Sequence, residues 1–126
     1  ETEVVLPRIA SDLFDLFEGV AHQNLHEKEF SVTEKIATTV MLVSGGYPEA
    51  YEKGKLISGL KTIKNSIVFH AGTSIKNNTV VTNGGRVIAV TSLAGSIEEA
   101  LKLSYKSIDE IHFNKMNYRK DIGFDL

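Results

Sequence analysis

Apolar side chains recur at helical spacing along the opening stretch ETEVVLPRIASDLFDLFEGV. Those on one stripe are Val5, Ile9, Leu13, Leu16, Phe17 and Val20. This spacing predicts a helix over about 3–24 with an acidic first turn, where the helix dipole favours negative charge. Pro7 favours a regular helix that begins near it, because its ring would remove a hydrogen bond further inside.

Strand-like patterns replace the helical one after residue 33. A run of β-branched and apolar residues extends from Ile36 to Val43 and ends at two glycines and a proline. The stretch SIVFHAGT is a second such run, with Ile67 and Phe69 on one face. A shorter strand over 55–58 fits the pattern less well.

The stretch TVVTNGGRVIAVT predicts a β-hairpin. Asn83 and Gly84 favour the positive φ angles of a two-residue turn, and Gly85 favours an adjacent bulge. With the two earlier runs, this hairpin predicts a β-rich region over 34–94.

A second helix follows the strands. Ser96 and Glu99 have the spacing of a capping box and predict a helix over 96–113. A basic tail occupies 117–126. The order of helix, antiparallel strands and helix indicates one α+β domain over 1–126 rather than a βαβ series.

Composition narrows the class of protein. The 126 residues are 42% hydrophobic and 24% charged, which is typical of one soluble domain. The chain has no cysteine, which excludes disulfides and thiolate metal sites and suits the cytoplasm. Its formal charge of −2 argues against nucleic-acid or anionic-membrane partners. No initiator methionine precedes the first helix, so we expect a fragment of a longer protein.

Two groups of histidines are candidates for chemistry. His22 and His26, with Glu27 beside them, could share a metal ion, but solvent-facing polar residues explain the pattern better. His70 lies within a predicted strand between apolar neighbours. A hydrogen-bonded structural histidine is the simpler interpretation there, and a catalytic base is the alternative.

Two segments are candidates for binding an anion. The NGGRV turn could bring bare backbone amides and Arg86 to a phosphate, although a plain hairpin explains the motif alone better. In the tail, YRKDIG confines Arg119 and Lys120 beside Asp121, which could hold one cation while the other meets a ligand. A solvated charged end is the alternative. The residues alone therefore indicate a small α+β module with a possible anion site and no catalytic set.

Five stretches also carry a resemblance that covers nearly the whole chain. They are ETEVVLPRI, SGGYPEAYEKGKLISGL, VFHAGT, TNGGRVIAVTSLAGSIEEA and YRKDIGF. In order and spacing they resemble the phosphoribosylamine–glycine ligase family, whereas about 22–33 and parts of 61–66 and 113–117 do not contribute. Glu3 departs from the glutamine usual in that family.

The resemblance implies the C-terminal domain of an ATP-grasp ligase of purine biosynthesis, with a barrel-like hybrid fold. In such a ligase ATP phosphorylates glycine, and the amine of 5-phosphoribosylamine attacks the acyl phosphate. ATP and Mg²⁺ or Mn²⁺ would be bound by the rest of the longer chain, with no cofactor expected on this fragment. The partners implied are 5-phosphoribosylamine, glycine, ATP and the remaining ATP-grasp lobes.

The resemblance also implies site residues. The tail resembles the family's basic pair near the sugar phosphate, and the glycine-rich turn is a second choice for the same pocket. The residues are Arg119, Lys120, Asp121, Gly123, Gly85 and Arg86. None is assigned a catalytic or metal-binding role. Two alternatives remain: a phosphate-ligand-binding module without turnover, or a docking module whose exposed Val4, Leu6 and Phe14 side leads to self-association.

Overall fold

The structure is a computed structural model that describes residues 1–124. Within this range the regular elements are α1 (Thr2–Val5), α2 (Leu13–Ala21), β1 (Ile36–Ser44), β2 (Ile67–His70), β3 (Thr73–Lys76), β4 (Thr79–Thr82), β5 (Arg86–Ala94), α3 (Ile97–Ile108) and β6 (Met116–Asn117). No helix in this range is long and apolar enough to cross a membrane.

A four-stranded antiparallel sheet organises the fold. Its strand order is β2-β5-β1-β6, and β3 and β4 form a separate two-stranded sheet. Alternate residues of β1 and β5, including the paired Val40 and Val90, turn towards α3 and pack with Ile108 and Ile111. All four are fully buried, so the main core lies between the sheet and α3.

Beyond the apolar core, hydrogen-bonded serine hydroxyl groups extend the interface between α3 and the sheet. Ser104 on α3 donates to Ser92 on β5 at 2.9 Å. Ser66 bridges Ser92 and Ser107, with both oxygen–oxygen distances at 2.7 Å. Because Ser92 and Ser104 are almost completely buried, each depends on these partners for its hydrogen bonds.

The opposite face of the sheet carries α1. The hydroxyl of Thr91, which is fully buried, donates to the main-chain carbonyl of Glu3 at 2.9 Å. Thr39 is paired with Thr91 across the strands and its hydroxyl lies 2.8 Å away. The predicted α+β class with antiparallel strands is confirmed. The two sheets are open, and the described strands do not close into a barrel.

The predicted helix over 3–24 is wrong as one element. It is divided into α1, a 3₁₀ turn at Leu6–Arg8 and α2. Two local contacts explain the break: Ile9 forms a β-bridge with Val32, and the Asp12 carboxylate caps α2 by accepting from Phe14 N at 2.8 Å. Apolar spacing continues through the break, which is why periodicity alone missed it.

The predicted hairpin across Asn83-Gly84 is also wrong. β4 pairs with β3 through a turn at Asn77 and Asn78, whose φ angles are 49° and 58°. β5 pairs instead with β1 and β2, so the glycine-rich segment connects two different sheets. A nine-residue strand with two long-range partners outcompetes the local turn signal.

The second helix begins as predicted and ends earlier. Ser96 caps α3 by accepting from the backbone N–H of Glu99 at 3.2 Å. The helix ends at Ile108 rather than 113, because a turn at 109–110 follows it and His112 then forms a β-bridge with Ser58. The predicted strand over 55–58 is reduced to two isolated bridges at Leu56 and Ser58.

Candidate anion-binding cleft

Three chain segments meet at one end of the main sheet. β1 ends there, β5 begins there and β2 ends there, since antiparallel neighbours alternate in direction. The segments that follow or precede these strands enclose a cleft of about 470 Å³ on the α1 face of the sheet. Its lining is Glu3, Met41, Tyr47, Ala71, Gly72, Gly85 and Arg86.

A bulge in β5 directs Arg86 to this face. The register changes from Leu42 opposite Ile88 to Val43 opposite Arg86, so Val87 is an extra residue. Paired residues point to the same face, and without the insertion Arg86 would lie on the core side with Ile88. The bulge predicted at Gly85 is therefore found at Val87, and it places Arg86 on the same side as Met41.

Glycines allow the segments to pack closely around the cleft. A Cβ atom on Gly85 would overlap the ring of Tyr47, and one on Gly72 would lie 2.5 Å from the carbonyl oxygen of Arg86. Gly72 N donates to that same carbonyl at 2.8 Å, and Ser44 N donates to the carbonyl of Gly85 at 2.8 Å. The Arg86 segment is thus held by backbone bonds on both sides.

The two charged residues that line the cleft are Glu3 and Arg86, and they are not paired with each other among the described residues. Arg86 is exposed, and Glu3 is half-buried. Within residues 1–124, neither a hydrogen bond nor an ion pair joins the Glu3 carboxylate to the Arg86 guanidinium. Arg86 therefore remains available to a ligand anion, which a guanidinium can bind through two parallel hydrogen bonds.

Among the described residues, the tail contributes none of the cleft lining, and Tyr105 on α3 donates from its hydroxyl group to the main-chain carbonyl of Arg119 at 3.1 Å. Arg86 pairs with Val43, and Val43 pairs with Asn117, so two strand spacings of about 10 Å in total separate Arg86 from the start of the tail. Arg119 and Lys120 are exposed side chains beyond that point.

Within the tail, Asp121 holds one of the two cations. Arg119 donates from Nε and Nη2 to the two carboxylate oxygens of Asp121 at 2.9 and 3.0 Å. The hydrogen bond from Arg119 lowers the pKa of Asp121 below its ordinary value of 3.8. Gly123 has a φ of 79°, a left-handed conformation that favours glycine.

The histidine candidates gain no support as a metal or catalytic site. His26 Nε2 lies 3.8 Å from a Glu27 carboxylate oxygen, and no group of three or more potential metal ligands occurs in residues 1–124. His70 is exposed and its Nδ1 lies 3.0 Å from the Thr73 hydroxyl. That contact is consistent with the structural interpretation.

Sequence reasoning had selected two of the lining residues, Gly85 and Arg86. It gave no site role to Tyr47, Gly72 or Glu3, although each belongs to one of the five stretches quoted above. Four of those five stretches reach the cleft, and YRKDIGF is the exception. Treating the stretches as parts of one site would have found these residues.

Comparisons with known proteins agree on one family. The family described as "Phosphoribosylglycinamide synthetase, C domain" matches residues 37–125. A phosphoribosylamine–glycine ligase of Chlorobaculum tepidum is 44% identical over 126 residues, which span 98% of this chain and 30% of that protein. A bifunctional purine biosynthetic protein of Schizosaccharomyces pombe is 44% identical over 125 residues, which span 98% of this chain and 16% of that protein.

A solved structure gives the same result. The crystal structure of a phosphoribosylamine–glycine ligase from Thermotoga maritima matches with a TM-score of 0.74 and 30% identity. The match covers 95% of this chain and 29% of that one. The chain therefore spans less than a third of the length of these relatives.

Proposed function

This chain belongs to the phosphoribosylglycinamide synthetase C-domain family, and from that premise we propose that it forms one wall of the phosphoribosylamine site in an ATP-dependent ligase. The complete enzyme would join glycine to 5-phosphoribosylamine and release ADP and phosphate. This chain would contribute substrate binding, and the rest of the ligase would bind ATP and Mg²⁺ or Mn²⁺.

The cleft at Arg86 is the observation that carries this proposal. Four separate stretches of the chain converge on it, and its walls combine a guanidinium with glycines that expose backbone. A phosphate dianion is a suitable ligand for such a surface, because a guanidinium can bind it through two parallel hydrogen bonds. Arg86 is accordingly proposed to bind the 5-phosphate.

The tail is proposed to support the same phosphate from the neighbouring sheet edge. Asp121 fixes the guanidinium of Arg119, while the ammonium group of Lys120 is exposed. Lys120 is therefore the tail residue that we expect to approach the phosphate as a point charge. Asp121 and Gly123 shape the turn that presents it.

Chemistry in the complete enzyme would follow an acyl-phosphate route. Bound ATP with its metal ion would activate the glycine carboxylate, and the amine of phosphoribosylamine would displace phosphate from it. The residues of this chain would hold the phosphosugar so that its amine faces the activated carboxyl group. Positioning of this kind contributes to the rate by lowering the entropic cost of bringing two substrates together.

An assay of ADP release tests the proposal. The product of the complete gene receives ATP, Mg²⁺, glycine and freshly generated phosphoribosylamine, and we expect release that requires both substrates. Arg86→Ala should raise the KM for phosphoribosylamine by about tenfold or more, as for loss of a charge-assisted hydrogen bond. The KM for ATP should not change.

Lys76→Ala provides the control, because Lys76 is an exposed cation on the separate β3–β4 sheet. It should leave every kinetic constant unchanged. If Arg86→Ala behaved like Lys76→Ala, the phosphate would bind elsewhere. If the intact protein released no ADP, the ligase assignment itself would fail.

A docking role is a second candidate, and one surface favours it. Eight exposed large apolar side chains lie between residues 5 and 32, and we call them the N-terminal apolar surface: Val5, Leu6, Phe14, Phe17, Val20, Leu25, Phe30 and Val32. Apolar surface concentrated in this way is typical of an interface. We propose that it packs against the rest of the ligase.

A further inference from the structure

An aromatic side chain forms the wall of the cleft beside Arg86. The ring of Tyr47 lies against the bare Cα atom of Gly85, where an added Cβ atom would overlap the ring. Just after β1, the backbone N–H of Tyr47 donates to the carbonyl of Ser44 at 3.0 Å. The ring centroid of Tyr51 lies 6.1 Å from that of Tyr47, at an interplanar angle of 59°. The ring therefore packs against both Gly85 and Tyr51, while Tyr47 keeps 40% of its surface exposed.

The uncharged lining of the cleft is apolar or bare backbone. It consists of Met41, Tyr47, Ala71, Gly72 and Gly85. Only Met41 and Tyr47 among these carry large side chains, and Met41 belongs to the sheet itself, on β1. The volume of about 470 Å³ is typical of a small-molecule site and exceeds the needs of a phosphate group alone. A ligand whose phosphate meets Arg86 therefore extends along this apolar lining.

Tyr47 is held through its ring and not through its hydroxyl group. Within residues 1–124, that hydroxyl group forms no hydrogen bond with another residue. The hydroxyl group of Tyr105, by contrast, donates to the carbonyl of Arg119. What the fold fixes at Tyr47 is thus the position of an apolar surface beside the guanidinium.

We propose that the ring of Tyr47 packs against the ribose of the phosphosugar and makes the Arg86 site selective for phosphate esters over inorganic phosphate. This inference rests on the proposed function and deepens it. Inorganic phosphate reaches only the guanidinium of Arg86. A sugar phosphate also covers the ring with the C–H groups of its ribose, which removes apolar surface from water.

Selectivity of this kind matters because the proposed reaction releases inorganic phosphate. A guanidinium forms the same pair of hydrogen bonds with inorganic phosphate as with a phosphate ester. A site that relied on Arg86 alone would therefore bind the product phosphate as well as the substrate. Contact with the Tyr47 ring favours only the ester, so accumulating phosphate competes less effectively with phosphoribosylamine.

The test compares ligands with and without the sugar. In the complete gene product, three constants are measured: the KM for phosphoribosylamine, and the constants for its competitive inhibition by ribose 5-phosphate and by inorganic phosphate. Tyr47→Ala should raise the first two about fivefold, as for loss of about 40 Å² of apolar contact. The constant for inorganic phosphate should not change. Tyr47→Asn fills more of the space over Gly85 with a polar group and should give the same result, so the test does not depend on the alanine variant alone.

Three further variants separate this effect from damage to the fold. Tyr47→Phe keeps the ring, so the ratio of the two inhibition constants should match that of the parent. Ile75→Ala shortens an exposed apolar side chain on β3, outside the cleft, and should alter none of the three constants. Arg86→Ala should raise all three, because each ligand carries a phosphate group.

Contrary results contradict different claims. If Tyr47→Ala and Tyr47→Asn left the ratio of the two inhibition constants unchanged, the ring would not contact the ribose and the inference would fail. If Tyr47→Phe changed that ratio as much as Tyr47→Ala, the hydroxyl group rather than the ring would recognise the sugar. Neither result would affect the proposed function. If Arg86→Ala changed none of the three constants, the proposed phosphate site would be wrong whatever the Tyr47 variants showed.

Discussion

Arg119 forms a bidentate ion pair with Asp121, and the pKa of the Asp121 carboxyl group measures its effect. The hydrogen bond from Arg119 lowers the pKa of Asp121 below 3.8, because it favours the charged form. Arg119→Gln should return this pKa towards its ordinary value. The measurement is an NMR titration of the Asp121 side-chain carboxyl carbon.

The sign of the pH dependence follows from the direction of that shift. A carboxyl group with a lowered pKa in the folded state stabilises the fold above its unfolded pKa, and this stabilisation is lost as the pH falls through the folded value. Lys120→Gln is the matched control, since Lys120 is adjacent but does not contribute to the shift. If Lys120→Gln raised the pKa of Asp121 as much as Arg119→Gln, the cause of the shift would be nearby positive charge in general rather than the bidentate hydrogen bond.

Individual residues were predictable where a local signal determines them. Ser96 as the helix cap and the alternation of Ile67 and Phe69 follow from neighbours along the chain, and both are confirmed. The position of the bulge was not predictable, because it depends on how β5 aligns with β1. Arg86 was therefore selected as a site residue without any basis for knowing which face it occupies.

Contact between α3 and the sheet depends on hydroxyl groups as well as on the apolar core. Ser104 is fully buried and donates to Ser92 at 2.9 Å. Ser104→Ala would leave Ser92 with one partner fewer in a buried site, and we expect a loss of about 1–2 kcal/mol in the free energy of unfolding. Urea denaturation followed by circular dichroism measures it.

Lys102→Ala on the same helix provides the comparison, because Lys102 is exposed. It should change the free energy of unfolding by less than about 0.5 kcal/mol. A Ser104→Ala loss no larger than this would mean that water replaces the serine hydroxyl at no cost.

Elements were predictable in kind and less so in their partners. The strands at 36–43, 67–70 and 79–82 were recognised from their periodicity, but the pairing of β4 was not. Two signals for a tight turn lie close together, at Asn77-Asn78 and at Asn83-Gly84, and local propensity favours the second. The pairing that forms is determined by β5, a nine-residue strand that pairs with β1 on one edge and β2 on the other, so that β4 pairs with β3.

In the whole molecule, the N-terminal apolar surface is distinct from the buried core between the main sheet and α3. Phe17 is 62% exposed and α2 contributes only Leu16 and Gly19 to the buried set. Periodicity correctly indicated an amphipathic helix there but could not show that its apolar face would lack a partner within residues 1–124. A face of this kind should associate with any complementary surface available.

We therefore expect this chain alone to self-associate as its concentration rises, and Phe17→Asp to keep it monomeric. The substitution adds charge at an exposed position, so it should cost the fold of the isolated chain little. Static light scattering across a concentration series measures the association. Ile75→Asp is the control, because Ile75 is 78% exposed but lies on β3, outside the N-terminal apolar surface.

In the complete gene product the same Phe17→Asp change should lower the thermal midpoint, because the charged side chain would oppose the proposed docking against the rest of the ligase. Loss of association in Ile75→Asp but not in Phe17→Asp would move the interface to the smaller sheet and remove the support for docking through α2.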